Sequence, residues 1–194
     1  MADPPPMTLS IDQDKSALRA QLRARRDAFV AGDPVSIATP DVFRERLAPD
    51  SVVASYFPIG SEADPVHLVR AAIACGCRLA LPFVVDRAAP IRFLAWEPNA
   101  PLTAGPFGLQ QPDAGSAELS PDMILTPLVG FDARLNRLGQ GAAHYDRAFA
   151  RFGDAWRVGV AWSVQEVPAI PADVWDVPLH AIITEKGMTW HNEA

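Results

Sequence analysis

Cysteine is scarce in this chain. Cys75 and Cys77, separated by Gly76, are the two among 194 residues, too few for a disulfide framework. A C-x-C pair offers two soft metal ligands, but no further cysteine completes a site. The four histidines, His67, His144, His180 and His191, show no H-x-x-x-H or similar metal spacing. An excess of positive charge is also missing. Lys plus Arg is 17 against 23 Asp plus Glu, a net charge of −6. A protein that lives on a nucleic-acid backbone is usually basic overall, so any anion site here must be local. Long apolar runs are absent too. The longest, residues 69–85, contains Arg70, Arg78 and Pro82 and does not read as a membrane span. The opening MADPPPMTLSIDQDK has neither the basic start nor the apolar stretch of a secretory leader. The expectation is a cytoplasmic, reduced, monomeric protein with no nucleic-acid or membrane partner.

What is present is ordinary globular composition, 49% hydrophobic and 21% charged, which excludes wholesale disorder. The length suits one domain with a core that needs no staple. The 19 prolines are scattered. Those in residues 2–6 suggest a frayed tail. The expected organisation is a flexible tail over residues 1–12 and one α/β domain over 13–194.

Residues 15–30 carry Leu18, Leu22 and Phe29 at near-helical spacing. Asp14 reads as the cap of this helix, and Gly32 with Pro34 as its end. Lys15, Arg19, Arg23 and Arg26 fall on one stripe of it, which reads either as a solvated face or as a phosphate-contacting edge. Helices are also expected at 40–47, 65–74 and 142–152. Strands are expected at 51–57, 78–85, 91–96, 123–127, 158–162 and 181–184, with a turn at 185–187. Residues 99–121 read as a long irregular segment. Alternating elements with short, wholly apolar strands predict an α/β fold: a single domain with a mostly parallel sheet flanked by helices. Ligands of such sheets sit beyond the carboxyl ends of the strands. The loops 58–64 and 130–141 both follow predicted strands, consistent with one shared site.

The most informative stretch is PLVGFDARLNRLGQGAAHYDRAFARF, residues 127–152. A strand leads into a loop with Arg134, Arg137, Gly139 and Gly141, and a helix follows. Glycines let the backbone approach an anion, and helix-start amides point at it. Arg137 can grip a phosphate through two nitrogens. Asp146 is of the type that holds Mg²⁺ directly or through water. A G-x-G loop alone is equally compatible with a structural turn.

The pattern R-L-G-x-G-x-x-x-Y-D-R after P-L-x-x-F-D resembles the signature of the 5-formyltetrahydrofolate cyclo-ligase family. The resemblance spans nearly the whole chain. It includes K-x-x-L-R at residues 15–19, YFPIGSE at 56–62, GPFGLQQP at 105–112 and VWDVPLHAIITE at 174–185. It implies an α/β fold related to the ribose-5-phosphate isomerase and CoA-transferase group. It implies conversion of 5-formyltetrahydrofolate, possibly polyglutamylated, to 5,10-methenyltetrahydrofolate with ATP as co-substrate and Mg²⁺ as cofactor. In that reaction the formyl oxygen attacks the γ-phosphate, N10 closes on the activated carbon and phosphate leaves. Carried over, Lys15 and Arg19 touch ATP phosphates. Arg137, Gly139, Gln140, Gly141, Ala142, Ala143, His144 and Tyr145 cradle the nucleotide. Glu62 takes the pterin amide edge, with Phe57 and Phe107 as apolar walls and Tyr145 beside the substrate. Asp146 and Asp176 hold the metal.

The glycine loop departs from the family pattern G-x-G-[GK]-G-[YF]-[YF]-D. Ala142 replaces a glycine or lysine, Ala143 a glycine, and His144 an aromatic. If a glycine there served at positive φ, alanine costs about 1 kcal/mol or reshapes the loop. Otherwise the alanines simply start the helix earlier. His144 reads as a stacking residue, a phosphate donor, the mark of a changed substrate, or plain packing. Two functions follow from different classes. One is an active cyclo-ligase. The other is a divergent paralogue that binds nucleotide or folate as a regulatory module without efficient cyclisation.

Overall fold

The computed structural model describes residues 11–171 and 176–190, with side chains from residue 15 onward. Helix α1 (Ile11–Val30) leads into the short α2 (Asp41–Glu45). Strand β1 (Val52–Ala54), helix α3 (Val66–Cys75) and strand β2 (Arg78–Phe83) form a β-α-β unit, and β3 (Arg92–Ala95) returns beside β2. A two-stranded ribbon follows, β4 (Thr103–Ala104) with β5 (Gln110–Gln111). Then come β6 (Met123–Pro127), the hairpin of β7 (Gly130–Phe131) and β8 (Arg137–Leu138), helix α4 (His144–Arg151), β9 (Trp156–Val160), β10 (Ala181–Thr184) and β11 (Gly187–Trp190).

The main sheet has the order β11-β10-β9-β6-β1-β2-β3. Strands β10, β9, β6, β1 and β2 run parallel, and an antiparallel strand closes each edge. This is the expected mostly parallel, single-domain α/β fold. The parallel strands are largely apolar and buried at their centres, as a sheet covered on both faces requires. Successive side chains alternate between the faces. Val52, Ala54, Ile124 and Ile182 pack with Phe149 of α4 on one side. Val53, Leu125, Val158 and Ile183 pack with Phe43 of α2 and Leu68 of α3 on the other. The chain passes from β1 to β2 on one side and later returns to β6 on the other. The carboxyl ends of β6, β1 and β2 therefore face a topological switch point, where open α/β sheets bind ligands.

Helix α1 is pinned above this point by Leu22, fully buried among Val129, Leu138 and Ile170. Phe29 adds a tilted contact with Trp162 at 5.6 Å.

Several expectations change. Helix α1 already includes Ile11, so Asp14 lies inside it and is not its cap. Residues 11 and 12 belong to this helix, while 1–10 of the expected tail lie outside the described residues. Helix α4 begins at His144, not 142, because Gly141 (φ +101°) and Ala143 (φ +51°) are both left-handed. The alanines do not extend the helix. Strand β1 is shorter than the expected 51–57, and β9 starts two residues earlier than 158. The 99–121 and 130–141 segments each contain a two-stranded ribbon, and β11 follows the 185–187 turn.

Candidate active site

A cavity of about 530 Å³ opens at the carboxyl ends of β1, β2 and β6, under helix α1. The sequence-predicted residues all line it. Lys15 and Arg19 come from α1, and Phe57 and Glu62 from the loop after β1. Phe107 comes from the turn between β4 and β5. Arg137, Gly139, Gln140, Gly141, Ala142, Ala143, His144, Tyr145 and Asp146 come from β8, the glycine loop and α4, and Asp176 from the segment before β10.

The cationic stripe of α1 is only partly a solvated face. Lys15 and Arg26 are buried, Arg19 is half-buried and Arg23 is exposed. Lys15 Nζ donates to Asp176 Oδ2 at 2.8 Å. Arg19 Nε donates to the Gly139 carbonyl at 2.9 Å, and Arg23 Nη2 to Gln140 Oε1 at 2.6 Å. Helix α1 thus clasps the glycine loop directly. Gln140 Nε2 in turn donates to Glu62 Oε1 at 3.1 Å, and the Ile59 amide to Glu62 Oε2 at 3.0 Å. The Glu62 carboxylate is held on both oxygens and keeps lone pairs for a ligand.

Arg137 Nη2 donates to Asp146 Oδ1 at 2.7 Å. Its guanidinium lies over the Tyr145 and Phe149 rings, 5.8 and 5.5 Å from their centroids. Its Nε is buried without a partner. Such an atom is costly in a native interior, and polar cavities often place a ligand there. Burial pushes the Tyr145 phenol far above its ordinary pKa. Glu62 adds to the shift and Arg137 opposes it. Tyr56, whose hydroxyl donates to the Ala63 carbonyl at 2.6 Å, is raised first by burial and then by Glu62. Both phenols are neutral donors near neutral pH.

His144 Nε2 lies 3.1 Å from the Asp86 carbonyl, and its ring is 6.3 Å from that of Phe107. Burial lowers its pKa, against the opposing backbone contact at Asp86. Arg147 donates to the carbonyls of Ala142, Arg87 and Ala89. These contacts tie the glycine loop to residues 84–91. Arg87 sits 5.6 Å over the Phe107 ring. Phe57 makes an edge contact with Trp96 at 5.4 Å. His180 is placed elsewhere, bonded through both ring nitrogens to Arg157.

Arg87 sits in an irregular loop and so carries no sequence signal. Arg23 and Arg26 show in the sequence only as members of the α1 stripe. Arg26 is eleven residues from Lys15, close to three helical turns, so the shared face was legible.

The cavity combines cations, two carboxylates, a fixed glutamate and aromatic walls at a switch point. Such a set, at the carboxyl ends of a parallel sheet, is of the kind that forms the active site of an α/β enzyme. Residues 11–185 match the model of the 5-formyltetrahydrofolate cyclo-ligase family, and the chain belongs to that family. A 97-residue stretch is 36% identical to the 5-formyltetrahydrofolate cyclo-ligase of Haemophilus influenzae, covering 47% of this chain and 52% of that one. The match thus spans about half the length of that relative. The cyclo-ligase of Escherichia coli is 30% identical over 139 residues, 68% of this chain and 76% of that one. The NMR structure of Aquifex aeolicus 5,10-methenyltetrahydrofolate synthetase superposes with a TM-score of 0.68 and 28% identity, covering 93% and 94% of the two chains. The family resemblance read from the sequence is borne out.

Proposed function

We propose that this chain converts 5-formyltetrahydrofolate to 5,10-methenyltetrahydrofolate, using ATP and Mg²⁺ and releasing ADP and phosphate. The observation that carries the reading is convergence. Residues from α1, the loop after β1, the glycine loop, α4 and the segment before β10 line one cavity. Phosphoryl transfer asks a protein mainly for positioning and charge neutralisation. In this reading Lys15, Arg19 and Arg137 neutralise the phosphates. Residues 139–145 wrap the nucleotide. Glu62 accepts from the pterin amide edge between Phe57 and Phe107, with Tyr145 beside the ring. The formyl oxygen is held against the γ-phosphorus and displaces ADP, N10 then adds to the phosphorylated carbon and loses its proton, and cleavage of the C–O bond releases phosphate.

The donor set fits Mg²⁺, which takes one or two carboxylates plus phosphate oxygens and keeps several waters. Asp146 and Asp176 are cavity carboxylates, and no group of three or more His, Cys, Asp or Glu forms a closed metal cage among the described residues. Asp146 and Asp176 would hold the ion, which would supply positive charge against that of the nucleotide phosphates. Among the described residues no helix is long and apolar enough to cross a membrane. A cytoplasmic monomer acting on free or polyglutamylated folate is the remainder of the proposal.

The test mixes purified protein with 5-formyltetrahydrofolate, ATP and Mg²⁺ and follows methenyltetrahydrofolate absorbance. Product that depends on both ATP and Mg²⁺ is expected. Binding of either substrate without product would favour the non-cyclising paralogue. The Asp146→Asn variant should lose roughly 10²-fold in turnover, since it disturbs both the metal and the Arg137 partner. Near-normal activity would remove Asp146 from the metal role.

A further inference from the structure

The cations of α1 are not equivalent. Lys15, Arg19 and Arg23 each meet a protein acceptor on the far wall of the cavity. Arg26 also lines the cavity and is 6% exposed. Its Nε donates to Ser61 Oγ at 2.9 Å, and Ser61 donates to Asp27. Neither Nη atom has an acceptor among the described residues, and Nη1 is buried. No carboxylate among them lies within ion-pair range of this guanidinium. A buried guanidinium with unmet donors is strongly disfavoured unless something supplies an acceptor.

The neighbour of Ser61 is Glu62, clamped by the Ile59 amide and Gln140. Arg26 and Glu62 both act on the buried Tyr56, from opposite electrostatic sides. The wall therefore presents a fixed carboxylate acceptor and, beside it, a cationic donor. The 2-amino-4-oxo edge of a pterin offers the complementary order: N–H donors at the 2-amino group and N3, then an acceptor at the 4-oxo oxygen. We propose that Arg26 is a specificity-determining residue that donates to the 4-oxo oxygen of the pterin while Glu62 accepts from N3–H and the 2-amino group. This assignment rests on the folate reading above. A role confined to bracing α1 on the 58–64 loop through Ser61 would leave ligand selectivity untouched.

Two ligands and two substitutions at Arg26 separate these roles. The ligands are 5-formyltetrahydrofolate and its 4-thioxo analogue, which keeps the N3–H and 2-amino donors but offers a weak acceptor. Dissociation constants are measured by titration calorimetry on the full chain, with the ATP KM and thermal midpoint alongside. A hydrogen bond to a charged donor corresponds to roughly ten- to hundredfold in affinity. Wild type should prefer the oxo ligand by at least about tenfold. Arg26→Met should bind the oxo ligand roughly ten- to hundredfold more weakly and lose the preference, with the ATP KM unchanged. Arg26→Lys, which keeps the charge without the fork, should restore part of it. A folded Arg26→Met that keeps the preference overturns the assignment alone. If the variants do not fold, a wild type that shows no oxo/thioxo preference overturns it equally. A wild type that binds neither ligand overturns the folate reading, and the assignment with it.

Discussion

Replacing Ala143 by glycine should stabilise the protein, although the substitution adds no contact. Ala143 sits at φ +51°, ψ 21°, immediately before α4, and its side chain makes no capping bond. A residue with a Cβ pays roughly 1–2 kcal/mol for this left-handed geometry. Glycine removes that strain but enlarges the unfolded ensemble, which costs about 0.4–1 kcal/mol. The difference is a gain of about 0.5–1 kcal/mol. For a chain of this size that corresponds to a thermal midpoint raised by about 1–4 °C. Ala142 is the internal control. It is not among the positive-φ residues, so glycine there brings only the entropic loss and should destabilise by about 0.4–1 kcal/mol. Urea denaturation of the two variants and wild type, at equal slope, reads both signs. Because the loop already holds the left-handed conformation, the KM for ATP should stay within about twofold in Ala143→Gly. Equal signs for the two variants, or a destabilised Ala143→Gly, would refute the strain argument.

Two further outcomes test the frame around the site. Gly159 lies mid-strand in β9, and a Cβ there would sit 2.7 Å from Leu179 and 2.8 Å from Leu128. Both neighbours are core residues, so Gly159→Ala should cost about 1–3 kcal/mol by overpacking, and a neutral result by denaturation would show slack between strands. Asp132 is buried at the β7–β8 turn. Burial pushes its pKa up, but donation from the Ile170 amide, the Asn136 side chain and the Asn136 and Arg134 amides outweighs it, so the net shift is downward. Stability from this carboxylate is therefore present above its unfolded pKa, about 3.9, and is lost as pH falls through the lower folded value. Asp132→Asn should be less stable than wild type at pH 7, with the gap closing below about pH 4. A gap that persists unchanged in acid would assign the effect to lost geometry rather than charge.

The parallel sheet was legible because its strands are apolar on both faces, a pattern that a solvent-facing sheet would not show. The two-residue strands β7 and β8 were not legible, since periodicity needs more residues than they contain. The start of α4 was misread for a physical reason. Alanine favours helix, but local preference yields to tertiary constraint. Here Arg19 holds the Gly139 carbonyl and Arg147 the Ala142 carbonyl, fixing the loop in its left-handed path. The residues that line the cavity were brought together by motif order in the sequence, but their mutual grip was not legible there. The link from α1 through Gln140 to Glu62 joins residues 117 and 78 positions apart.

A net charge of −6 and a cavity lined by several cations are compatible because the cations are concentrated and their partners are local. Arg137 gives one nitrogen to Asp146 and leans on two rings, while Lys15 reaches Asp176. Each carboxylate fixes a cation that would otherwise sample many rotamers. In the proposed reaction a phosphate would meet charges that are already oriented, and little reorganisation would remain to be done at the moment of transfer. The same pairing keeps isolated positive charge out of a half-buried cavity, where an unpaired ion would be costly. Arg26 breaks the pattern, since its Nη atoms have no acceptor among the described residues. That contrast within one helix face is the reason to look for its acceptor on the ligand.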